Sequence, residues 1–413
     1  MVVINSIPIT SQLSVEHLRG IVEKDLRRAQ KHCSPQTIAH GPRAVHEARN
    51  KCQPESGSGV STGTGSQPAS SNGQHVITVD DATVTYNMPC NIGGNDFNLL
   101  IDTGSSNTWC GANKSFQPSS SCVSTRKTVK VGYGSGSFEG TEYEGPVILG
   151  DSLKVDKQSF AVANTAQGFK GIDGILGIGP VSLTNQTVEG IDSIPTVTDN
   201  LFKQGTLDTE CIGISYNPTS GGNGNLANGE LCFGSKLDRT KIASEITYVP
   251  ITTTSPASKY WGIDQSIAYG SGKKMMLEQC AGIVDTGTTL IMIPDDAFKA
   301  YQDSTGATPD QATGLLKLTP KQFENLESMY FNIGDTCFEL TPNAQIWPRA
   351  LNSALGGDSD SIYCVFANIG PVGTSGLSFI NGFTWLQRFY SIFDTTNSRV
   401  GIATTPDTYA ETN

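Results

Sequence analysis

Two stretches of the chain carry a carboxylate in matched surroundings: Leu99-Leu100-Ile101-Asp102-Thr103-Gly104-Ser105-Ser106 and Gly282-Ile283-Val284-Asp285-Thr286-Gly287-Thr288-Thr289. Each reads as an apolar strand ending in Asp-Thr-Gly and a hydroxyl residue. A carboxylate at the end of a buried strand is held rigidly, and the glycine lets the backbone turn and another chain approach closely. The hydroxyls of Thr103, Ser105, Thr286 and Thr288 can fix the two turns by hydrogen bonds. If a pseudo-twofold axis sets Asp102 and Asp285 about 3 Å apart, their repulsion when both are ionised is on the order of 5 kcal/mol at an effective dielectric near 20. The two ionisations then separate widely, and the pair holds one proton through an acidic range. One carboxylate can act as base toward a water while the other donates to a carbonyl oxygen.

Such a pair needs two strand-ended turns in facing halves, and the chain supplies the material. Beyond residue 76 it runs in short stretches rich in Val, Ile, Thr, Tyr and Phe, broken by Gly, Asn, Asp or Pro, which predicts an all-β architecture. Two short helices are expected, Pro195 to Gln204 before Gly205, and Asp295 to about Asp303 with Asp295 as cap. With 413 residues, 37% hydrophobic and 16% charged, the chain has enough length for two or three domains and a sizeable core.

Composition also excludes chemistry. All five histidines, His17, His32, His40, His46 and His75, precede residue 76, so the body cannot build a Ser/His/Asp triad, a Cys/His dyad or an HExxH zinc site. No metal and no cofactor is expected. The net charge of -11 argues against nucleic acid and anionic membrane as partners, and no run of 18 apolar residues offers a membrane span. Gly59-Val60-Ser61-Thr62-Gly63 matches a nucleophile elbow but has no strand before it and no histidine base in the body.

The first 52 residues carry eight Lys and Arg against four Asp and Glu, opposite in sign to the rest. Val15, Leu18, Val22, Leu26 and Ala29 recur at helical spacing behind Ser14, predicting one amphipathic helix. A Gly, Ser, Thr and Pro-rich stretch over 54–75 follows, too polar to order and open to cutting. The start, MVVINSIPIT, is too short and polar to read as a secretory signal.

The ten cysteines contain no C-x-x-C, and several are placed like disulfides of an exported protein. Cys110 with Cys122, Cys211 with Cys232, and Cys337 with Cys364 would each close a short excursion, while Cys33, Cys52, Cys90 and Cys280 have no assignment. Connectivity stays open, and buried free thiols are the alternative.

Over nearly all of residues 76 to 404 the sequence resembles the pepsin-like aspartic proteases, and among them the milk-clotting type of basidiomycete fungi. The first family motif is carried by Asp102, Thr103, Gly104, Ser105, Ser106, Asn107 and Trp109, the second by Asp285, Thr286, Gly287 and Thr288. The closer likeness rests on residues 193–202, 254–263, 343–349 and 379–397. The resemblance implies a bilobal fold with pseudo-twofold symmetry, an interlobe cleft and lobes over 76–243 and 244–413. It implies an aspartic-type endopeptidase with water as nucleophile and the shared-proton titration known for the pepsin dyad.

The flap of that family resembles Val131 to Ser137, with Tyr133 over the bound peptide and the backbone of Gly134 and Ser135 bonding it. Trp109 and Ile175 are implied pocket walls for bulky apolar side chains of a substrate bound as an extended strand. Ile175-Leu176-Gly177 matches the strand behind the first catalytic turn; behind the second the chain departs from the usual Ile/Leu-Gly-Asp and reads Ile380-Asn381-Gly382-Phe383. The basic segment, 1–53, takes the place of an inhibitory propeptide with a lysine on the dyad, for which Lys24, Lys31 and Lys51 are candidates. A secreted monomer with peptide or protein substrates is the resulting expectation, and Asn113 and Asn185 would be glycosylation sequons. The rival is an inactive pepsin-fold peptide binder, which would usually have lost an aspartate, the flap tyrosine or a turn glycine. A paired-carboxylate glycosidase leaves the duplicated turn unexplained.

Overall fold

The computed structural model describes residues 6–13, 20–34, 37–38, 84–134, 136–150, 153–219, 226–371 and 375–413. Lys51, Cys52, His75, the whole stretch 54–75 and Ser135 lie outside these residues. The described chain is mostly β, as its short alternating runs require. In the strand Asn95–Asp102 (β3), for example, Phe97, Leu99 and Ile101 are buried and the residues between them are not, so one face packs inward and the strand delivers Asp102 at its end.

A 13-stranded sheet runs through both halves of the sequence. Its centre joins Val84–Ile92 (β2) to β3, and β3 to Gly174–Gly177 in parallel. Its far side is built from Cys211–Tyr216 and Leu226–Phe233 with the late strands Phe389–Asp394 and Arg399–Thr404. A second, seven-stranded sheet is made of later residues alone, with Gly262–Tyr269 paired to Lys274–Val284, and the latter to Ile380–Asn381.

The N-terminal segment contributes two elements. Ser6–Leu13 (β1) fills the slot between β2 and Leu226–Phe233, antiparallel to both, with Ile7 and Ile9 buried and Ser6 and Pro8 exposed. This strand lies outside the expected elements, although Ser6 to Ile9 alternates with the period of a strand. The expected helix is Ile21–Cys33 (α1), which follows Gly20 in a left-handed turn; Ser14 and Val15 lie outside the described residues. Its inward face also differs from expectation. Asp25, Arg28, Ala29 and His32 are buried, while Val22 and Leu26 are only half-buried at the edge.

The two body helices form near their expected places. Val197–Lys203 starts behind a Thr196/Asp199 capping box, and Asp295–Thr305 ends at Gly306 in the left-handed region. Asp295 does not cap its helix; its carboxylate accepts from Asn368 Nδ2 at 2.7 Å.

The disulfide expectation is corrected: Cys110, Cys122, Cys211, Cys232, Cys337 and Cys364 are all free thiols, as are Cys33, Cys90 and Cys280. Strand register sets Cys232 opposite Gly213, two residues from Cys211, and its thiol turns to Lys236 O at 3.1 Å. Cys337 is exposed beside Lys273, whereas Cys364 is buried and hydrogen-bonded to Tyr301. Cys110 is buried in the core and the Cys122 sulfur packs against Gly93 and Gly145.

Candidate active site

β3 and Lys274–Val284 end at the same place from opposite sides, delivering Asp102 and Asp285, both fully buried. The turns are locked to one another by a reciprocal grip. The Thr103 N–H donates to Thr286 Oγ1 at 3.0 Å, and the Thr286 N–H donates to Thr103 Oγ1 at 2.9 Å. Each hydroxyl then donates across to the opposite strand, Thr286 to Ile101 O at 3.0 Å and Thr103 to Val284 O at 3.4 Å. All four groups are satisfied only when the turns face each other, so the grip fixes the separation of the carboxylates.

The carboxylates are held alike. Ser105 Oγ donates to Asp102 Oδ2 at 2.5 Å and Thr288 Oγ1 to Asp285 Oδ2 at 2.6 Å. The N–H groups of Gly104 and Gly287 donate to the Oδ1 atoms, each at 3.0 Å. A Cβ on Gly104 would lie 2.7 Å from Asp285 Oδ1, which is why only glycine fits there.

Above the pair stands the hairpin of Val123–Gly132 and Ser137–Leu149, closed by Tyr133 N–H on Gly136 O at 2.7 Å. Tyr133 is buried; its hydroxyl accepts from Trp109 Nε1 at 2.9 Å and is hydrogen-bonded to Ser105. Trp109 and Ile175 belong to the cluster packed beneath Tyr133, with Trp109 stacked on Phe138 at 4.2 Å between centroids. Among the described residues no group of three His, Cys, Asp or Glu side chains could hold a metal.

A family model for eukaryotic aspartyl proteases matches residues 85–405, both turns included. The chain belongs to this family. It is an aspartic-type endopeptidase by that membership. The protease is 54% identical to polyporopepsin of Irpex lacteus over 319 residues, 77% of this chain and 92% of that protein. It is 30% identical to cathepsin E of Mus musculus over 327 residues, 75% of this chain and 76% of the relative. Its fold matches the crystal structure of the aspartic proteinase from Irpex lacteus with a TM-score of 0.77 at 53% identity, covering 80% of this chain and 97% of that one.

In this protease the cleft is filled by α1. Arg28 Nε donates to Asp285 Oδ2 at 2.6 Å, and Nη2 donates to Asp285 Oδ1 at 2.8 Å and also to Asp102 Oδ1. One nitrogen therefore touches both carboxylates. Against the burial that would raise it, the guanidinium and His32 hold the Asp285 carboxyl well below the usual carboxylate range. Asp25, one turn earlier, accepts from the N–H groups of Thr289 at 3.0 Å and Leu290 at 2.8 Å. Burial outweighs those donors and pushes its carboxyl up to about 6. His32, one turn later, stacks edge-on to Tyr260 at 4.5 Å and lies 3.5 Å from Asp285 Oδ2. Burial, with Lys31 and Arg28 adding to it, pushes the imidazole down to about 4 against the pull of Asp285.

An arginine thus takes the position expected of a lysine. Lys31 lies over the Tyr133 ring at 5.7 Å, Lys24 is beside Asp25, and Lys51 is outside the described residues. A planar fork spans two facing carboxylates better than a point charge does. The spacing of Asp25, Arg28 and His32, three and four residues apart, is the signal that marked this face.

Proposed function

We propose that this chain is the zymogen of a secreted acid endopeptidase, cleaving peptide bonds between bulky hydrophobic residues, with the segment 1–53 as propeptide and 54–75 as the stretch cut on maturation. The observation that carries this reading is Arg28 seated on both Asp102 and Asp285. The guanidinium occupies the place where a water and a scissile carbonyl would meet the dyad. A Cβ on Gly134 would lie 2.4 Å from Arg28 Cα, so α1 also fills the space beneath the flap that an extended substrate needs. Lys259 Nζ pins the segment behind the helix by donating to Ile38 O.

Once α1 leaves, the two carboxylates lose their common cation and repel one another, which restores a shared proton at acid pH. One then takes a proton from water as it attacks the carbonyl carbon; the other donates to the carbonyl oxygen. Ser105 and Thr288 keep the carboxylates oriented through the exchange. Tyr133 and the backbone of Gly134 and Ser135 close over the peptide, and Trp109 and Ile175 back the apolar subsite. Both aspartates, the flap tyrosine and the turn glycines are retained, which disfavours an inactive peptide binder.

The test is incubation at about pH 4 with casein, with and without pepstatin, following loss of the N-terminal segment. Pepstatin-sensitive cleavage that appears with that loss is expected, and Asp102→Asn or Asp285→Asn should abolish it with the fold intact. Cleavage indifferent to pepstatin, or none after the segment has gone, overturns the reading.

A further inference from the structure

The two catalytic turns are backed by unequal strands. Behind Asp102, Gly174–Gly177 pairs with β3 over four positions, from Leu99 with Gly174 to Asp102 with Gly177, and with Thr108–Cys110 over three. Behind Asp285 the matching strand has two residues, Ile380 and Asn381, paired to Ile283 and Val284 on one flank and to Met292 and Ile291 on the other. Yet this short strand supplies the carbonyl that receives the Asp285 N–H, from Asn381 O at 3.1 Å. Backbone bonds continue the pairing on either side, from Ser378 N–H to Ala281 O at 2.7 Å, Ile283 N–H to Phe379 O at 3.1 Å and Phe383 N–H to Thr288 O at 2.7 Å, and a slip of one residue would present the wrong carbonyl to Asp285.

The chain answers with a buried amide pair. Gln265 Nε2 donates to Asn381 Oδ1 at 3.1 Å, and Asn381 Nδ2 donates back to Gln265 Oε1 at 2.9 Å. Both side chains are fully buried. Counting back equally from Asp102 and Asp285, the corresponding first-lobe residues are Leu176, opposite Ile101, and Cys90, opposite Phe97, while Gln265 stands opposite Cys280. Both are buried and neither carries an amide. The polar pair is therefore confined to the lobe whose backing strand is short.

We propose that the Gln265–Asn381 pair is a positioning device for Asp285: two directional hydrogen bonds pin the Ile380–Asn381 strand in the one register that offers Asn381 O to the Asp285 amide. It acts through the backbone and does not touch the reacting atoms. The proposal rests on the peptidase reading for its kinetic consequences. An apolar pair would pack in the same volume but lacks direction, and polar pairs of this kind can trade stability for register.

The experiment compares Gln265→Leu, Asn381→Leu and the double variant, each matured at acid pH. Four quantities are read: kcat and KM on a peptide, the acid limb of the kcat profile, Tm, and hydrogen exchange of the Asp285 amide. Each single variant strands one buried amide, so Tm falls; kcat falls roughly tenfold with KM unchanged, as a misplaced catalytic group demands. In the double variant Tm returns, while kcat, the acid limb and slow Asp285 exchange do not. Recovery of kcat together with Tm in the double variant, or normal kcat and normal Asp285 exchange in the singles, overturns the proposal. A wild-type protein silent on casein would instead sink the peptidase reading, and the exchange measurement would still decide the positioning role.

Discussion

Arg28 Nε donates to Asp285 Oδ2 at 2.6 Å, in a site where both side chains are buried. The same guanidinium reaches Asp102, so one positive charge is set against two carboxylates. Removing one partner of a buried ion pair leaves an uncompensated charge, which costs about 3–5 kcal/mol. Arg28→Ala should therefore loosen α1 by about that amount, seen as faster amide exchange over residues 21–33 at neutral pH. Arg28→Lys should fall between the two, because a lysine cannot span both acids with a fork. Unchanged exchange in Arg28→Ala would show that α1 is held by its other contacts.

The proposed release of α1 by acid has a source on the helix itself. The His32 imidazole is pushed from 6.5 to about 4 by burial beside Arg28 and Lys31, facing Asp285 and Tyr260. Docking is thus at full strength above pH 6.5 and weakens as pH falls through 4, by on the order of 3 kcal/mol. Asp25 works in the opposite sense. Its carboxyl rises from 3.8 to about 6, so its contribution is complete below 3.8 and is lost as pH rises through 6. His32→Gln should lower the pH at which the N-terminal segment is shed, whereas Asp25→Asn, neutral at every pH, should tighten docking near neutral pH and barely move the acid midpoint. Self-cleavage against pH by mass spectrometry reads the first effect and amide exchange over residues 21–33 at neutral pH the second; a His32→Gln midpoint equal to wild type, or unchanged exchange in Asp25→Asn, would disprove the assignment.

Thr103 and Thr286 each give two hydrogen bonds across the grip, from the N–H and the hydroxyl, and receive one. Thr103→Val keeps the shape but leaves the Thr286 N–H without its acceptor, at a cost of about 1–3 kcal/mol. Denaturant unfolding of the matured enzyme should show that loss, accompanied by a lower kcat, while Thr103→Ser stays near wild type. A stable, fully active valine variant would mean the grip does not set the carboxylate spacing.

Glu142 gives the body its own pH limit. Its carboxyl is buried on the Ser137–Leu149 strand, receives Ser159 Oγ on one oxygen, and has no hydrogen-bond partner among the described residues on the other. Burial, and after it Glu144, pushes it from 4.5 to about 8 despite Lys127. Stability from this group is fully present below 4.5 and is lost as pH rises through 8, a change of a few kcal/mol. Glu142→Gln should hold Tm nearly level between pH 6 and 8, where the wild type declines. Parallel curves for the two proteins would exclude Glu142 as the cause.

The paired turns were legible in the chain because local chemistry writes them locally: a strand pattern, an aspartate, a hydroxyl and a glycine stand within eight residues, twice. The all-β character and the two body helices share that property, since each depends on residues close in sequence. What failed depended on partners far away. The cysteine spacings suggested loops, but strand register sets Cys211 diagonal to Cys232 and leaves Cys337 exposed while Cys364 is buried. The apolar stripe of α1 suggested the wrong inward face, because the surface waiting for it was not a hydrophobic groove.

From its amino acids alone this protein is determined to carry two mirrored acids on strand ends and a basic segment ahead of them. Only the tertiary structure decided that Arg28 meets the acids, 74 and 257 residues away, and that Gln265 finds Asn381 across 116. The physical reason is that a buried charge or amide takes its worth from the groups it is enclosed with. Those groups are assembled by the packing of sheets, and no short window of sequence contains them.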